Sequence, residues 1–115
     1  MGFRVNSNTY IVVATRGHRY DDLALAAAIR TPARYKGLLG SKRKTLEIYK
    51  NLLKEKVPPE RLREVYAPIG LNIGAITPEE LAVSIMAEII LVHNCGTGMP
   101  MKMNIKNLHI FMKTG

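Results

Sequence analysis

An α/β fold built on a short parallel sheet is predicted by three features of this 115-residue chain. The run "TYIVVAT" (residues 9–15) is continuous and β-branched, the composition of a strand buried on both faces. Segments of strand and helix character then alternate as β-α-β-α-β-α, which calls for parallel strands joined by right-handed crossovers. Each strand-like run ends in a loop that carries glycine. The expected architecture is three-layered and amounts to half of a doubly wound fold. At this length one domain is the expectation.

The elements follow in order. "RGHRYDD" reads as a loop in which Asp21 or Asp22 caps the next helix, "DLALAAAIR". Its alanines suit close packing on a sheet, and Pro32 ends it by disfavouring helical geometry at Thr31. "YKGLLG" (residues 35–40) is the second strand. The helix after "GSKRK" sets Leu46, Tyr49, Leu53 and Val57 at helical spacing, with Leu52 beside them and Lys50, Lys54 and Lys56 on the other face. "VPPERLREV" is a proline-started turn of helix leading to a short third strand, "EVYA". After the loop "PIGLNIGAIT" (residues 68–77), Thr77-Pro78-Glu79-Glu80 is a strong helix start: a threonine cap, proline at the first position and glutamate three residues after the cap. That helix runs to about His93. Its polar stripe is narrow (Thr77, Glu80, Ser84, Glu88), so it is expected to be buried on most sides, by sheet, a neighbouring helix or another subunit. The domain is expected over residues 1–93. Residues 94–115 form a Met- and Gly-rich tail, in which "NLHIFMK" reads as an edge strand or a loose end.

Composition narrows the function classes. The stretch 81–92 is the longest apolar one, but Ser84 and Glu88 interrupt it and it is too short to span a bilayer. The start, "MGFRVNSNTY", lacks the apolar run of a signal peptide. The single cysteine, Cys95, cannot close an internal disulfide, in keeping with a reducing cytoplasm. Net charge is +8, and it is unevenly spread. Residues 1–56 hold 12 Lys/Arg against 4 Asp/Glu, whereas residues 57–93 hold 2 against 5. A basic first half fits an anionic partner: a phosphorylated cofactor, nucleic acid or an acidic protein face.

In open α/β sheets ligands bind beyond the carboxyl ends of the strands. Three loops fall there: "TRGHRYD", "GSKRK" and "APIGLNIGAIT". The first two carry Arg16, Arg19, Lys42, Arg43 and Lys44. Gly40-Ser41 at a strand-to-helix turn suits a phosphate, because glycine permits close approach while the helix N–H groups and the serine hydroxyl donate. Three cations at a helix start oppose the helix dipole, and an anion would offset that cost; the alternative is a solvated helix start. The pattern is neither a P-loop nor a G-x-G-x-x-G fingerprint. His18 has no second ligand at metal spacing and reads as a loop histidine. Ser41 and Ser84 have no recognisable base, so no catalytic residue and no metal site are assigned.

Two long phrases, "VVATRGHRYDDLALAAAIRTPARYKGLLGSKRK" and "YAPIGLNIGAITPEELAVSIMAEII", with "PPERL" between them, resemble the C-terminal Rossmann-like domain of the XdhC/CoxI family. These are accessory factors for xanthine dehydrogenase and carbon monoxide dehydrogenase. The resemblance spans residues 9–93. It implies a maturation chaperone, not a metabolic enzyme, that binds the molybdenum cofactor (molybdopterin), assists its sulfuration and passes it to a target molybdenum hydroxylase. The family's loop positions correspond to Thr15, Arg16, Gly17, His18 and Asp21, then Gly40, Ser41, Arg43 and Lys44, then Gly70, Gly74 and Pro78. Lys42 adds charge to the second group. Family members usually place a small N-terminal domain and the first half of the Rossmann fold before this region. The chain therefore reads as the second half, and a homodimer or a separate chain is expected to supply the remainder.

Two other function classes compete. An NAD(P)-linked oxidoreductase fragment shares the fold, but fingerprint glycines and an acidic ribose partner after the second strand are missing. A nucleic-acid-binding module has only the basic pI of about 9.9 in its favour. Aromatic residues make up 6% of the chain, and the cations cluster on loops instead of lining one face.

Overall fold

The computed structural model describes residues 4–14 and 18–103, with the backbone alone at 18 and 19. It contains β1 (Tyr10–Val13), α1 (His18–Ile29), β2 (Tyr35–Leu38), α2 (Lys42–Lys54), α3 (Pro59–Arg63) and α4 (Pro78–Asn94). β1 and β2 pair in parallel, with Tyr10 opposite Tyr35 and Val13 opposite Leu38. α1, α2 and α3 pack on one face of this sheet and α4 on the other, which gives an α/β fold in three layers.

The third strand shrinks to one residue. Tyr66 bridges Gly37 in parallel, its N–H donating to Lys36 O at 2.8 Å and its carbonyl accepting from Leu38 N at 3.0 Å. Only Val65, Tyr66 and Ala67 separate the end of the α3 cap from Pro68, and proline has no N–H to extend the ladder. "YKGLLG" also pairs over less than its length: β2 ends at Leu38, and residues 39–41 turn into α2.

Alternation along the strands divides the core. Val13 and Leu38 point to one face, where they join Leu25, Ala28 and Ile29 of α1, Ile48 and Leu52 of α2, and Leu62 of α3. The alanines of α1 let it approach the sheet as expected. The start of α1 differs from expectation: the helix begins at His18, so Asp21 is a fully buried first-turn residue and not its cap. α2 also sits in a different rotation. It buries Thr45, Ile48 and Leu52, while Leu46 and Leu53 are 60% and 45% exposed. The offset was concealed by Thr45, whose methyl faces the core while its hydroxyl donates to Ser41 O at 2.9 Å.

On the opposite face three tyrosines lie across the sheet. Tyr35 stacks on Tyr66 with ring centroids 4.9 Å apart, and Tyr10 lies 6.3 Å from Tyr35. Gly37 has no side chain because Ile69 covers it; a Cβ there would sit 2.5 Å from Ile69 Cδ1. α4 covers this face with its polar stripe inward. Ser84 and Glu88 are buried, whereas Val83, Met86 and Ile90 are exposed. Part of the apolar surface of α4 thus faces away from the sheet while Ser84 and Glu88 face it, the reverse of an ordinary amphipathic surface helix.

Glu88 explains the inversion. Its Oε1 accepts from Tyr35 Oη at 2.7 Å and from Gly70 N at 3.0 Å, and Ser84 Oγ donates to Leu71 O at 2.5 Å. Burial first, and then the bond to Glu88, push the Tyr35 phenol far above its ordinary range, so it remains a donor throughout the accessible pH range. The ends of α4 are closed separately. Thr77 Oγ1 accepts from Glu80 N, and Glu80 Oε1 accepts from Thr77 N and Ile76 N, which completes the expected capping box. Arg34 Nη2 donates to Val92 O and His93 O at 3.1 Å each, and Tyr10 Oη lies 2.7 Å from His93 Nδ1. The "NLHIFMK" segment lies outside the described residues.

The two ends of this anchoring are separately testable. Glu88→Ala leaves the buried Tyr35 hydroxyl and the half-buried Gly70 amide without their acceptor and should cost roughly 3 kcal/mol in urea unfolding; Glu88→Gln, which retains Oε1, should cost clearly less. At the other end, the N–H groups of Thr77 and Ile76 hold the Glu80 carboxyl below its ordinary range. Its contribution is therefore complete above the unfolded carboxyl pKa and lost as pH falls through the lower folded value. NMR titration should show the Ile76 and Thr77 amides shifting in that acid window, and Thr77→Ala should cost about 1 kcal/mol.

Candidate functional site

The carboxyl ends of β1, β2 and the Tyr66 bridge lie at one edge of the sheet, because all three run parallel. Thr15, Arg16 and Gly17, after β1, lie outside the described residues, and His18 is described only as the first residue of α1. The second and third loops can be built from their residues upward.

After β2 the chain passes through Gly40 at φ +157° into Ser41, which is extended and caps α2. The Ser41 hydroxyl oxygen accepts from Lys44 N at 3.1 Å, which leaves its proton free to donate. The first-turn N–H groups of Lys42 and Arg43 have no partner within the helix and open beyond the sheet edge. The three cations differ in their surroundings. Lys44 is drawn inward and forms an ion pair with the fully buried Asp21. This contact joins the first turn of α1 to the first turn of α2, so two of the predicted loops do meet. Arg43 is exposed and lies 3.8 Å from Glu47 one turn on. Lys42 is exposed, and no ion pair involves it among the described residues. Ser41, Arg43, Lys44 and Glu47 line a shallow cavity of about 310 Å³. An anion seated there would meet Ser41, the α2 amides and Arg43, with the Glu47 carboxylate also in the lining and Lys42 exposed beside it, while Lys44 serves chiefly to fix the edge.

The third loop has a different character. Gly70 adopts φ +103°, and a Cβ would collide with Ser84 Oγ, so glycine is required here by packing against α4. Gly74, at φ +74°, has nothing within 4 Å of where a Cβ would lie. Residues 72–80 are exposed, with Ile76 91% accessible. The loop is therefore firmly held at Gly70–Leu71 and presented to solvent beyond.

Sequence reasoning missed Tyr35, Glu88 and Ser84 as the group that holds this loop. The i, i+4 placement of Ser84 and Glu88 in an apolar helix was the available signal. Lys36 was also missed: it is 6% exposed and its Nζ donates to Ile29 O at 3.4 Å, at the C-terminus of α1. Cys95 is exposed and forms the left-handed cap of α4. Among the described residues no cluster of three His, Cys, Asp or Glu occurs that could hold a metal, and no helix is long and apolar enough to cross a membrane.

Comparison with known proteins agrees with this geometry. Residues 2–89 match the family described as XdhC Rossmann domain. The uncharacterized protein YqeB of Escherichia coli K12 is 36% identical over 94 residues, covering 82% of this chain and 17% of that protein. A probable xanthine dehydrogenase subunit of Bacillus subtilis 168 is 44% identical over 79 residues, or 69% of this chain and 22% of that protein. A crystal structure described as a xanthine dehydrogenase from Bacillus halodurans superposes with a TM-score of 0.64 at 29% identity, over 92% of this chain and 29% of that one. The chain thus spans less than a third of the length of each.

The division of labour among the cations is testable by stability alone. Lys44→Ala withdraws a partner from buried Asp21 and should cost about 2 kcal/mol, whereas Lys42→Ala should stay within about 0.5 kcal/mol of the parent in the same urea titration.

Proposed function

This chain belongs to the XdhC family, and we propose that it is part of an accessory factor that binds the molybdenum cofactor for a molybdenum hydroxylase of the xanthine or carbon monoxide dehydrogenase type. The observation that carries this reading is the Ser41-capped start of α2 beyond the carboxyl end of β2, with exposed Lys42 and Arg43 beside it. Molybdopterin ends in a phosphate, or in a pyrophosphate in its dinucleotide forms. The donors present here fit that end: two first-turn amides, the Ser41 hydroxyl and two cations not buried in the fold. Bound at this edge, the phosphate would be fixed by Ser41, Lys42 and Arg43, with the Gly70–Gly74 loop as the neighbouring wall. The molybdenum chemistry is exercised in the target enzyme; this chain holds and presents. The work belongs in the cytoplasm, where the target enzymes and reduced thiols are found.

The partners are the target hydroxylase and a body that completes the sheet, either a second copy or a separate chain. Support for the latter comes from β1, which has a strand neighbour on one side only among the described residues. Beside its open edge lies an apolar groove lined by Ile11, Val12, Ala24, Ala27 and Ala28.

Native mass spectrometry with equimolar molybdopterin and NADPH tests this reading. Retention of the pterin is expected, and Lys42→Ala combined with Arg43→Ala should weaken it by about tenfold or more. Lys44 is left in place so that folding is not disturbed. Retention of NADPH alone would overturn the proposal in favour of an oxidoreductase, as would pterin binding indifferent to the two substitutions.

A further inference from the structure

We propose that Met99, Met101 and Met103 form a binding site for one soft monovalent metal ion of the copper(I) class, with their three thioether sulfurs as the ligands. The site is independent of the cofactor reading.

Imidazole, thiolate and carboxylate donors do not gather in threes among the described residues, but thioethers do: three fall within residues 99–103, at i, i+2 and i+4. Methionine ordinarily fills irregular space in a core. These three fill none, being 71%, 99% and 69% exposed. Leaving them in water forgoes the gain of burial. An apolar docking surface does not account for the pattern. Residues 99–103 contain no branched aliphatic and no aromatic side chain, and Pro100 and Lys102 take the alternate positions. What the exposed positions share is sulfur.

The approach to the segment is fixed. Cys95 closes α4 in the left-handed conformation, and Gly96 N donates to Leu91 O at 2.9 Å. Gly98, at φ +76°, lies so close to this last turn that a Cβ would sit 2.8 Å from Leu91 Cδ1. Met99 N then donates to Thr97 Oγ1 at 3.1 Å. Met99 therefore leaves from a hydrogen-bonded turn held against the end of α4, and Pro100 biases it toward extended backbone. The steps from Met99 to Met103 span at most about 14 Å. Each side chain has three rotatable bonds with which to bring its sulfur to a common centre.

Charge selects the class of ion. The thioethers are neutral, Lys102 stands among them, and no Asp or Glu follows Glu88 in the chain. A hard divalent cation draws on carboxylate oxygens and finds none in this segment. A soft monovalent ion is well served by neutral sulfur. Cys95 is an exposed thiol whose Sγ accepts from Arg34 Nη2 at 3.6 Å. It is not one of the proposed ligands, and the test removes it, because a thiol would capture the same ion by itself.

Silver(I), the redox-inert analogue of copper(I), is titrated into the full chain carrying Cys95→Ser and carbon-13-labelled methionine methyl groups. Of the six methionine signals, those of Met99, Met101 and Met103 should move together and saturate at one equivalent, while Met86 stays unmoved. Met101→Leu keeps the apolar volume and removes the central sulfur. It should weaken binding by about tenfold or more, with far-UV circular dichroism unchanged. Zinc(II) should move none of the signals. Absence of a shift with silver(I), signals that move separately without saturating at one equivalent, an equal response to zinc(II), or a Met101→Leu variant that binds as the parent does would each overturn the proposal.

Discussion

A single carboxyl oxygen organises one whole side of this molecule. Glu88 Oε1 receives the Tyr35 hydroxyl from the sheet and the Gly70 amide from the loop, while the residue that carries it belongs to α4. Sheet, loop and helix therefore meet at one acceptor. With so little sheet, α4 has no broad apolar surface to lie on, since three tyrosines and Ile69 occupy that face. Polar anchoring takes the place of an apolar seam, and Ser84, one turn earlier, adds a second bond to the same loop. Buried polar contacts of this kind are costly to leave half made, which is why they fix one arrangement instead of several.

The anchoring has consequences at both ends of the protein. At the ligand edge it fixes Gly70 and Leu71, so the exposed loop beyond them starts from a rigid base beside the α2 N-terminus. On the outside it forces the apolar face of α4 into solvent, together with the open edge of β1. Among the described residues, the outer side of β1 has no strand neighbour and Val83, Met86 and Ile90 of α4 are exposed. The loop beside the proposed site and the outward side of α4 are thereby placed by the same few hydrogen bonds.

Helix-start signals such as the Thr77–Glu80 capping box were legible in the sequence, whereas most side-chain contacts between distant residues were not. The Thr77–Glu80 capping box and the proline-started turn at Pro59 depend on near neighbours in the chain, and each stands where the residues place it. The parallel pairing of β1 and β2 followed from their continuous apolar runs. The rotation of α2 was misread because Thr45 looks polar and its hydroxyl is satisfied within the helix. "EVYA" has strand composition, but its length as a strand was limited by α3 and Pro68. At the candidate site, the Gly-Ser turn was legible, whereas the pairing of Lys44 with Asp21 brings together residues 23 positions apart and needs the fold to reveal it. The polar stripe of α4 was visible; that it faces inward depends on Tyr35, which no periodicity connects to Glu88.

Amide hydrogen exchange at Gly70 and Leu71 tests the central claim most directly. If Glu88 and Ser84 hold this loop to α4, the Gly70 amide should be protected to the same degree as the middle of α4, and both should open together as denaturant is added. Rapid exchange at Gly70 while α4 remains protected would contradict the account, because the loop would then be free of the helix that is argued to hold it.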